Sequence, residues 1–384
     1  MPPSDASVLG PAGLARGIVA SLAPRLAGVP GWSERELVGR VSPRPVEGIA
    51  VWRIPVAAPL ASATGDDPAA WAARVRDAAG TLPGVDSAWL HGGAVDVRLS
   101  EPMAALPLTA HDCRLWHGAS GEVRVRSAPV PLPNETHYDQ GRHLRASVLA
   151  DAIVALATAA GDTATRVTEP EPGGHDAAGP DTFGRTERTE RTEPTDRIGR
   201  ISVDGPVVSR DIKVGPVRFV AGESAADPVA VGAPSTPVRA ALLAAAPNAS
   251  IDLDHRALLA RVPANAGFLL VHTALALRAS PARDEGPGLA RMPGGGPDSG
   301  APASVRDDGR EPLLVALASY PFVVEKGVVG ADPGVVLRHL LTVAGRSVAL
   351  CGGGDEADAL LRQSAATVLV HGIEALGMRL PTRI

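Results

Sequence analysis

Leu361, Ala365, Val368, Leu369, Ile373 and Leu376 recur every three or four residues near the end of the chain, so a single helix carries all of them on one stripe. Arg362, Gln363, Thr367, His371 and Glu374 fall on the opposite side, and Gly377 and Pro381 mark where the helix stops. A helix with one apolar stripe is not stable alone in water and needs other helices to cover it. The stripe therefore predicts the closing helix of a bundle.

The rest of the chain has to supply the partners of that helix. Of the 384 residues, 45% are hydrophobic, which is enough for real cores. Aromatics are only 3%, and the five Trp (32, 52, 71, 89 and 116) all lie in the first 120 residues. Large side chains thus concentrate in an N-terminal unit, and the C-terminal bundle must pack small residues. Length predicts two or three domains. The net charge of -5 and isoelectric point near 6.1 carry no nucleic-acid footprint over the whole chain. Cys113 and Cys351 sit in no C-x-x-C pattern and read as free thiols of a reducing compartment. Arg16 and Arg25 interrupt the N-terminal apolar run, and charges break every other long one. These features predict a soluble, cytoplasmic protein without membrane association.

Five segments follow in order. Residues 1–104 read as an α/β unit: a first helix at 13–27, a strand at Val51–Val56, and a helix at Pro68–Ala79 capped by Asp67. A turn over Leu82–Ala88 and an alternating strand at Ala94–Leu99 complete it. Residues 105–165 hold a loop and a helix from Leu144 that Gly161 ends. Residues 166–197, with their repeated Thr-Glu-Arg and flanking Pro and Gly, lack any core-forming pattern and are expected to be a disordered linker. Residues 198–235 are strand-like with Asp-Gly and Val-Gly-Pro turns, predicting a hairpin or small meander. Residues 236–384 are a helical bundle with a flexible Gly/Pro-rich insert at 282–309.

Several motifs resemble the arginyl-tRNA synthetases. The closing helix, Leu376-Gly377 and the Pro381-Thr382-Arg383-Ile384 terminus resemble the end of that family's anticodon-binding (DALR) domain, with Ile384 where the family has Met. Ile251-Asp252-Leu253-Asp254 and Asn265-Ala266-Gly267-Phe268 are similar to the acidic stretch and Asn-Pro-x-aromatic turn that precede its long helix. Phe322-Val323-Val324-Glu325 stands where the family has a Phe-Pro-Glu-Val-Val stretch. The Leu-Pro-Gly-Val turn at 82–85 resembles its N-terminal additional domain. The resemblance covers roughly 11–160 and 236–384. It implies an α+β multidomain fold: an N-terminal α/β domain, a truncated Rossmann-like remnant with a small β element, and an all-α anticodon-binding bundle.

The same resemblance locates what chemistry would need. Aligning the helix near 144 puts Gln140, Gly141, Arg142 and His143 on the family's His-x-Gly-His signature, and only His143 fits. No Lys-Met-Ser sequence occurs, and Lys213 and Lys326 are the only lysines. Positive clamps on the transferring phosphate supply most of the stabilisation in such chemistry. Between Gly161 and Pro237 lie roughly 75 residues, many in the linker, against about 30 or more for each βαβ unit. Neither a phosphate loop, a zinc spacing nor a nucleophile elbow is present. The expectation is therefore no catalytic residue, no metal and no cofactor; ATP enters only if the family's activity is retained.

The anticodon surface is the remaining candidate. Asn265, Phe268, His272, Arg278, Arg362, His371, Arg379 and Arg383 are the expected tRNA-binding residues, His272 taking the family's base-holding aromatic position. The leading expectation is a non-catalytic, tRNA-binding paralogue of arginyl-tRNA synthetase. A protein-interaction scaffold that reuses the fold without RNA is the second reading, and residual arginine–tRNA ligase activity the third. Fold alone does not decide among them.

Overall fold

The computed structural model describes residues 10–27, 34–102, 114, 122–129, 139–166, 207–214, 217–220, 235–279, 310–352 and 356–381. The expected linker beyond Arg166 and the expected insert at 282–309 lie outside them, as do Trp32, Trp116 and Cys113.

The first eight elements build a helix-covered antiparallel sheet. They are α1 (Pro11–Leu26), α2 (Glu34–Val41), β1 (Arg44–Glu47), β2 (Val51–Ile54), α3 (Ala57–Thr64), α4 (Pro68–Gly80), β3 (Val85–His91) and β4 (Ala94–Leu99). The strands lie in the order β1-β2-β4-β3, every pair antiparallel. Asp67 accepts from the Ala69 amide at 3.1 Å with Pro68 next, so α4 starts as its sequence dictates. Its Trp71, Ala72 and Val75 are buried, and α4 packs on β3 and β4. Trp52 and Trp71 are fully buried because each indole N–H has a partner: the Ile49 carbonyl at 2.7 Å and Thr64 Oγ1 at 2.9 Å.

Two expectations change here. The turn ends at Gly84, whose φ of +84° suits glycine, and β3 starts at Val85 instead of after Ala88. In β4, Asp96 was expected on the solvent side of an alternating strand, yet it is only 3% exposed. Arg53 on the neighbouring β2 forks onto it, Nε to Oδ1 at 2.7 Å and Nη2 to Oδ2 at 2.8 Å. Cross-strand pairing of this kind is invisible to a single strand's alternation.

The central elements are parallel. β5 (Glu122–Pro129), α5 (Asp139–Ala159) and β6 (Thr163–Arg166) form a βαβ unit, and β7 (Val207–Val214) pairs with the other edge of β5. α5 begins at Asp139, five residues before the expected Leu144, so the backbone of 140–143 is helical. Gly161 (φ +96°) ends the helix as expected: its amide donates to Thr158 O and that of Asp162 to Ala157 O. Among the described residues of 198–235, the two strands do not pair with each other as the expected hairpin or meander requires. β8 (Val217–Val220) pairs in parallel with β9 (Ile251–Asp254), while β7 joins β5. Strand composition was read correctly, but partner choice depends on distant chain, which local turn signals do not encode. The acidic stretch Ile251–Asp254 is thus a strand whose last residue caps the next helix, Asp254 Oδ1 accepting from the Arg256 amide at 2.8 Å.

The C-terminal half is helical: α6 (Thr236–Ala244), α7 (His255–Leu259), α8 (Ala266–Ala279), α9 (Arg310–Gly330), α10 (Pro333–Ser347), a 3-10 turn (Val348–Gly352) and α11 (Glu356–Ala375). The α11 stripe is as expected, with Leu361, Ala365, Val368, Leu369, Ile373 and Leu376 all buried against α8, α10, α9 and α5. Gly377 (φ +68°) closes it, the Met378 amide reaching back to Ile373 O at 3.0 Å. α9 continues through Pro321. Leu313, Leu317, Tyr320, Val324 and Val328 form one buried row on both sides of the proline, and their packing outweighs the lost backbone bond.

Helices approach closely where glycine allows it. A Cβ on Gly372 would meet Leu340 at 2.4 Å, and one on Gly267 would meet the Cα of Pro237 at 2.5 Å. α1 and α2 pack on α9, joining the first sheet unit to the bundle. Arg310–Gly330 and Pro333–Cys351 are long and apolar enough to cross a membrane by length and composition. About half of each is nevertheless buried within the bundle (56% and 44%).

Candidate nucleic-acid interface

Asn265 sits just before α8 and is wholly engaged by the fold. Its Oδ1 accepts from the Gly267 and Phe268 amides at 3.1 and 3.2 Å. Its Nδ2 donates to the carbonyls of Ala257, Leu258 and Ala260 at 3.2, 2.8 and 2.9 Å. The amide therefore caps α8 and pins α7 to it, with no donor or acceptor left for a base.

Phe268 and His272, one helical turn apart on α8, stack with ring centroids 5.2 Å apart and planes 28° from parallel. His272 is exposed and Phe268 half-buried. The buried face of the same helix is Gly267, Leu270, Thr273, Ala274 and Leu277. Arg256 within the pinned α7 and Arg261 just after it are exposed, as is Arg278 in the last turn of α8.

The other expected contacts do not join this group. Arg278 is six positions from His272, about 120° round the helix axis. Arg362 is only 6% exposed, and its charge lies close enough to Cys351 to oppose the upward push that burial gives the thiol. His371 points inward: Tyr320 on α9 meets its Nδ1 at 2.9 Å. Burial lowers the His371 pKa, with Glu374 opposing. Arg379 is exposed while its carbonyl accepts from Thr236 Oγ1 at 2.9 Å. Arg383 and Ile384 lie outside the described residues, as do the side chains of Gln140, Gly141, Arg142 and His143. The backbone of those four is the first turn of α5. The seven placed candidates thus divide into an exposed aromatic pair, two scattered arginines and three residues committed to the fold.

Structure also reveals polar groups that local sequence did not single out. Arg145 is 0% exposed, and its guanidinium donates to Leu242 O at 3.3 Å, Ala246 O at 2.8 Å, Ala245 O at 3.4 Å and Ala249 O. Arg338 Nη1 adds a bond to Ala244 O at 3.1 Å. Two cations therefore cover the negative C-terminal end of α6. Asp151 on α5 ties Arg166 (3.2 Å) and Arg239 (3.2 Å) together. His339 on α10 stacks beside Tyr320, its Nε2 3.0 Å from Ala316 O. Burial holds its pKa down to about 4; the Ala316 bond opposes that and Arg346 reinforces it. Each of these acts across sequence separations that a periodicity reading does not see. Among the described residues, no three His, Cys, Asp or Glu side chains are placed to share a metal ion.

A helix-covered antiparallel sheet, a parallel βαβ centre and a C-terminal helical bundle define an α+β multidomain protein of aminoacyl-tRNA synthetase-like fold. Among solved structures, the Thermus thermophilus arginyl-tRNA synthetase matches with a TM-score of 0.54 at 14% identity, covering 98% of this chain and 100% of that one. At that identity the likeness is one of fold. No family model matches the chain. A comparison with curated proteins likewise finds no match.

Proposed function

We propose that this chain is a non-catalytic RNA-binding protein of the cytoplasm, a paralogue of arginyl-tRNA synthetase whose ligand is tRNA. The Phe268–His272 stack, with its His272 ring exposed, carries the proposal. Two stacked rings, His272 exposed and Phe268 half-buried, with Arg256 and Arg261 exposed in the segment that Asn265 pins to α8, suit an unpaired base on the rings and phosphates on the guanidinia. The synthetase-like fold across the chain supports tRNA over other RNAs. The lack of a Lys-Met-Ser sequence supports a role without amino-acid activation. Neither ATP nor a metal is required for binding of this kind.

A gel shift with total tRNA across a salt series tests the reading. Binding should weaken as salt rises, with a slope set by the number of phosphates contacted. The double variant Phe268→Ala/His272→Ala should bind about 5- to 100-fold more weakly, because base–aromatic stacking contributes about 1–3 kcal/mol. Absence of binding by the wild type at low salt would sink the proposal.

The buried Arg362 and the inward His371 favour a second reading, a protein-interaction scaffold without RNA. Its signature is a partner protein that co-purifies unchanged after nuclease treatment.

A further inference from the structure

The first sheet has two edges, and the chain treats them differently. β1 is short, fully exposed, and protected: Arg44 and Glu47 flank Pro45, and the register breaks between Pro45 and Glu47. Proline removes a donor, while charge and a bulge oppose further pairing, which is how solitary edges stay solitary. β3 at the other edge is seven residues long with no Pro, Lys or Arg, and Asp86 is its only full charge. It pairs with β4 on one side and packs under α4; no described strand pairs with its outer side. Trp89 is 37% exposed and Leu90 47%. A long edge with exposed apolar side chains and none of the protection seen at β1 is built to be paired.

We infer that the outer edge of β3 pairs with the β3 of a second copy of this chain, antiparallel about a two-fold axis at Trp89. The strand's own register selects that partner. Ala88 and Leu90 face the side shared with Val97 and Val95, and Ser87 and Trp89 face the side shared with Arg98 and Asp96. Directly opposed residues of an antiparallel pair share a face. An axis at Trp89 therefore sets Trp89 against its equivalent, Leu90 against Ala88, and His91 against Ser87. Apolar meets apolar on one face and aromatic meets aromatic on the other. Asp86 falls opposite Gly92 of the partner, so the pairing sets no like charges against each other. The interface is isologous and closes, giving a dimer with one continuous eight-stranded sheet and β1 at both outer edges.

Sedimentation equilibrium of the nuclease-treated full chain, over roughly 1–100 µM protein, tests this directly. The wild type should be dimeric over the upper part of that range. Trp89→Lys, which sets two ammonium groups against each other, should raise the dimer dissociation constant at least about tenfold. Ser87→Lys, at a position already exposed, is a second variant free of any loss of apolar packing and should act in the same direction. Val46→Lys on β1 should leave the dimer unchanged. A wild type that stays monomeric throughout, or a dimer that both β3 variants leave intact, would overturn the inference.

Discussion

Replacing Arg145 by Met keeps most of the side chain's length and removes its five donors. The guanidinium is wholly buried and donates to four carbonyls: Leu242 in the last turn of α6, then Ala245, Ala246 and Ala249 beyond it. Helix C-termini leave carbonyls without intrahelical partners, and here one cation from another helix satisfies them. Burial lowers the Arg145 pKa, yet guanidinium starts so high that it stays charged while folded. Each buried acceptor left unpaired costs about 1–3 kcal/mol, and some of the loop will reach water after the change. Two such losses plus the favourable end-of-helix charge come to about 3–5 kcal/mol. That is a large part of a typical total stability of about 5–15 kcal/mol. Urea unfolding followed by circular dichroism measures it as a fall in midpoint at constant slope. Arg145→Lys should recover less than half, since an ammonium cannot fork to four acceptors. A Met variant within about 1 kcal/mol of the wild type would refute the claim that this residue holds α6 in place.

Gly267→Ala should destabilise by about 2–3 kcal/mol, because its Cβ would stand 2.5 Å from the Pro237 Cα. Gly345→Ala, with nothing within 4 Å, should instead stabilise α10 by about 0.5–1 kcal/mol in the same melts. His339 has a folded pKa of about 4 against an ordinary 6.5, so the unfolded chain binds the proton more readily. Its contribution is complete above pH 6.5 and is lost as pH falls towards 4, by about 2–3 kcal/mol, with His371 acting in the same direction. Urea midpoints against pH should show that slope, and His339→Gln should flatten it. Arginine-dependent exchange of pyrophosphate into ATP should be undetectable; turnover that His143→Ala abolishes would contradict the non-catalytic reading.

Periodicity and capping chemistry made much of the fold legible. The α11 stripe, the Asp67 cap, and the glycine ends at 161 and 377 were all readable, because each is a local arrangement within one helix. Pairing was not. Nothing near Val207–Val214 or Val217–Val220 says that the first joins β5 and the second β9. The site was legible to a similar depth. Residue type suggested Asn265 and Arg362 as ligands, but the fold uses the first as a cap and buries the second. Only Phe268 and His272, four positions apart on an exposed helix face, were both nameable in advance and brought together.

Helix α5 shows why a signature helix is a poor guide to chemistry in this chain. Its residues 145–157 are buried on several sides, against β5 and β6 on one and α6, α9, α10 and α11 on others. From it Arg145 holds the end of α6 and Asp151 holds Arg166 and Arg239. A helix with so many packing duties persists for folding alone, whatever happens to the residues at its start. The likeness of 144–160 to the synthetase helix is therefore fully explained by packing. By contrast, no buried contact demands an aromatic ring at His272, which lies outside the core. The proposed RNA contact therefore rests on α8, where His272 stacks on Phe268 and packing leaves the type of ring open.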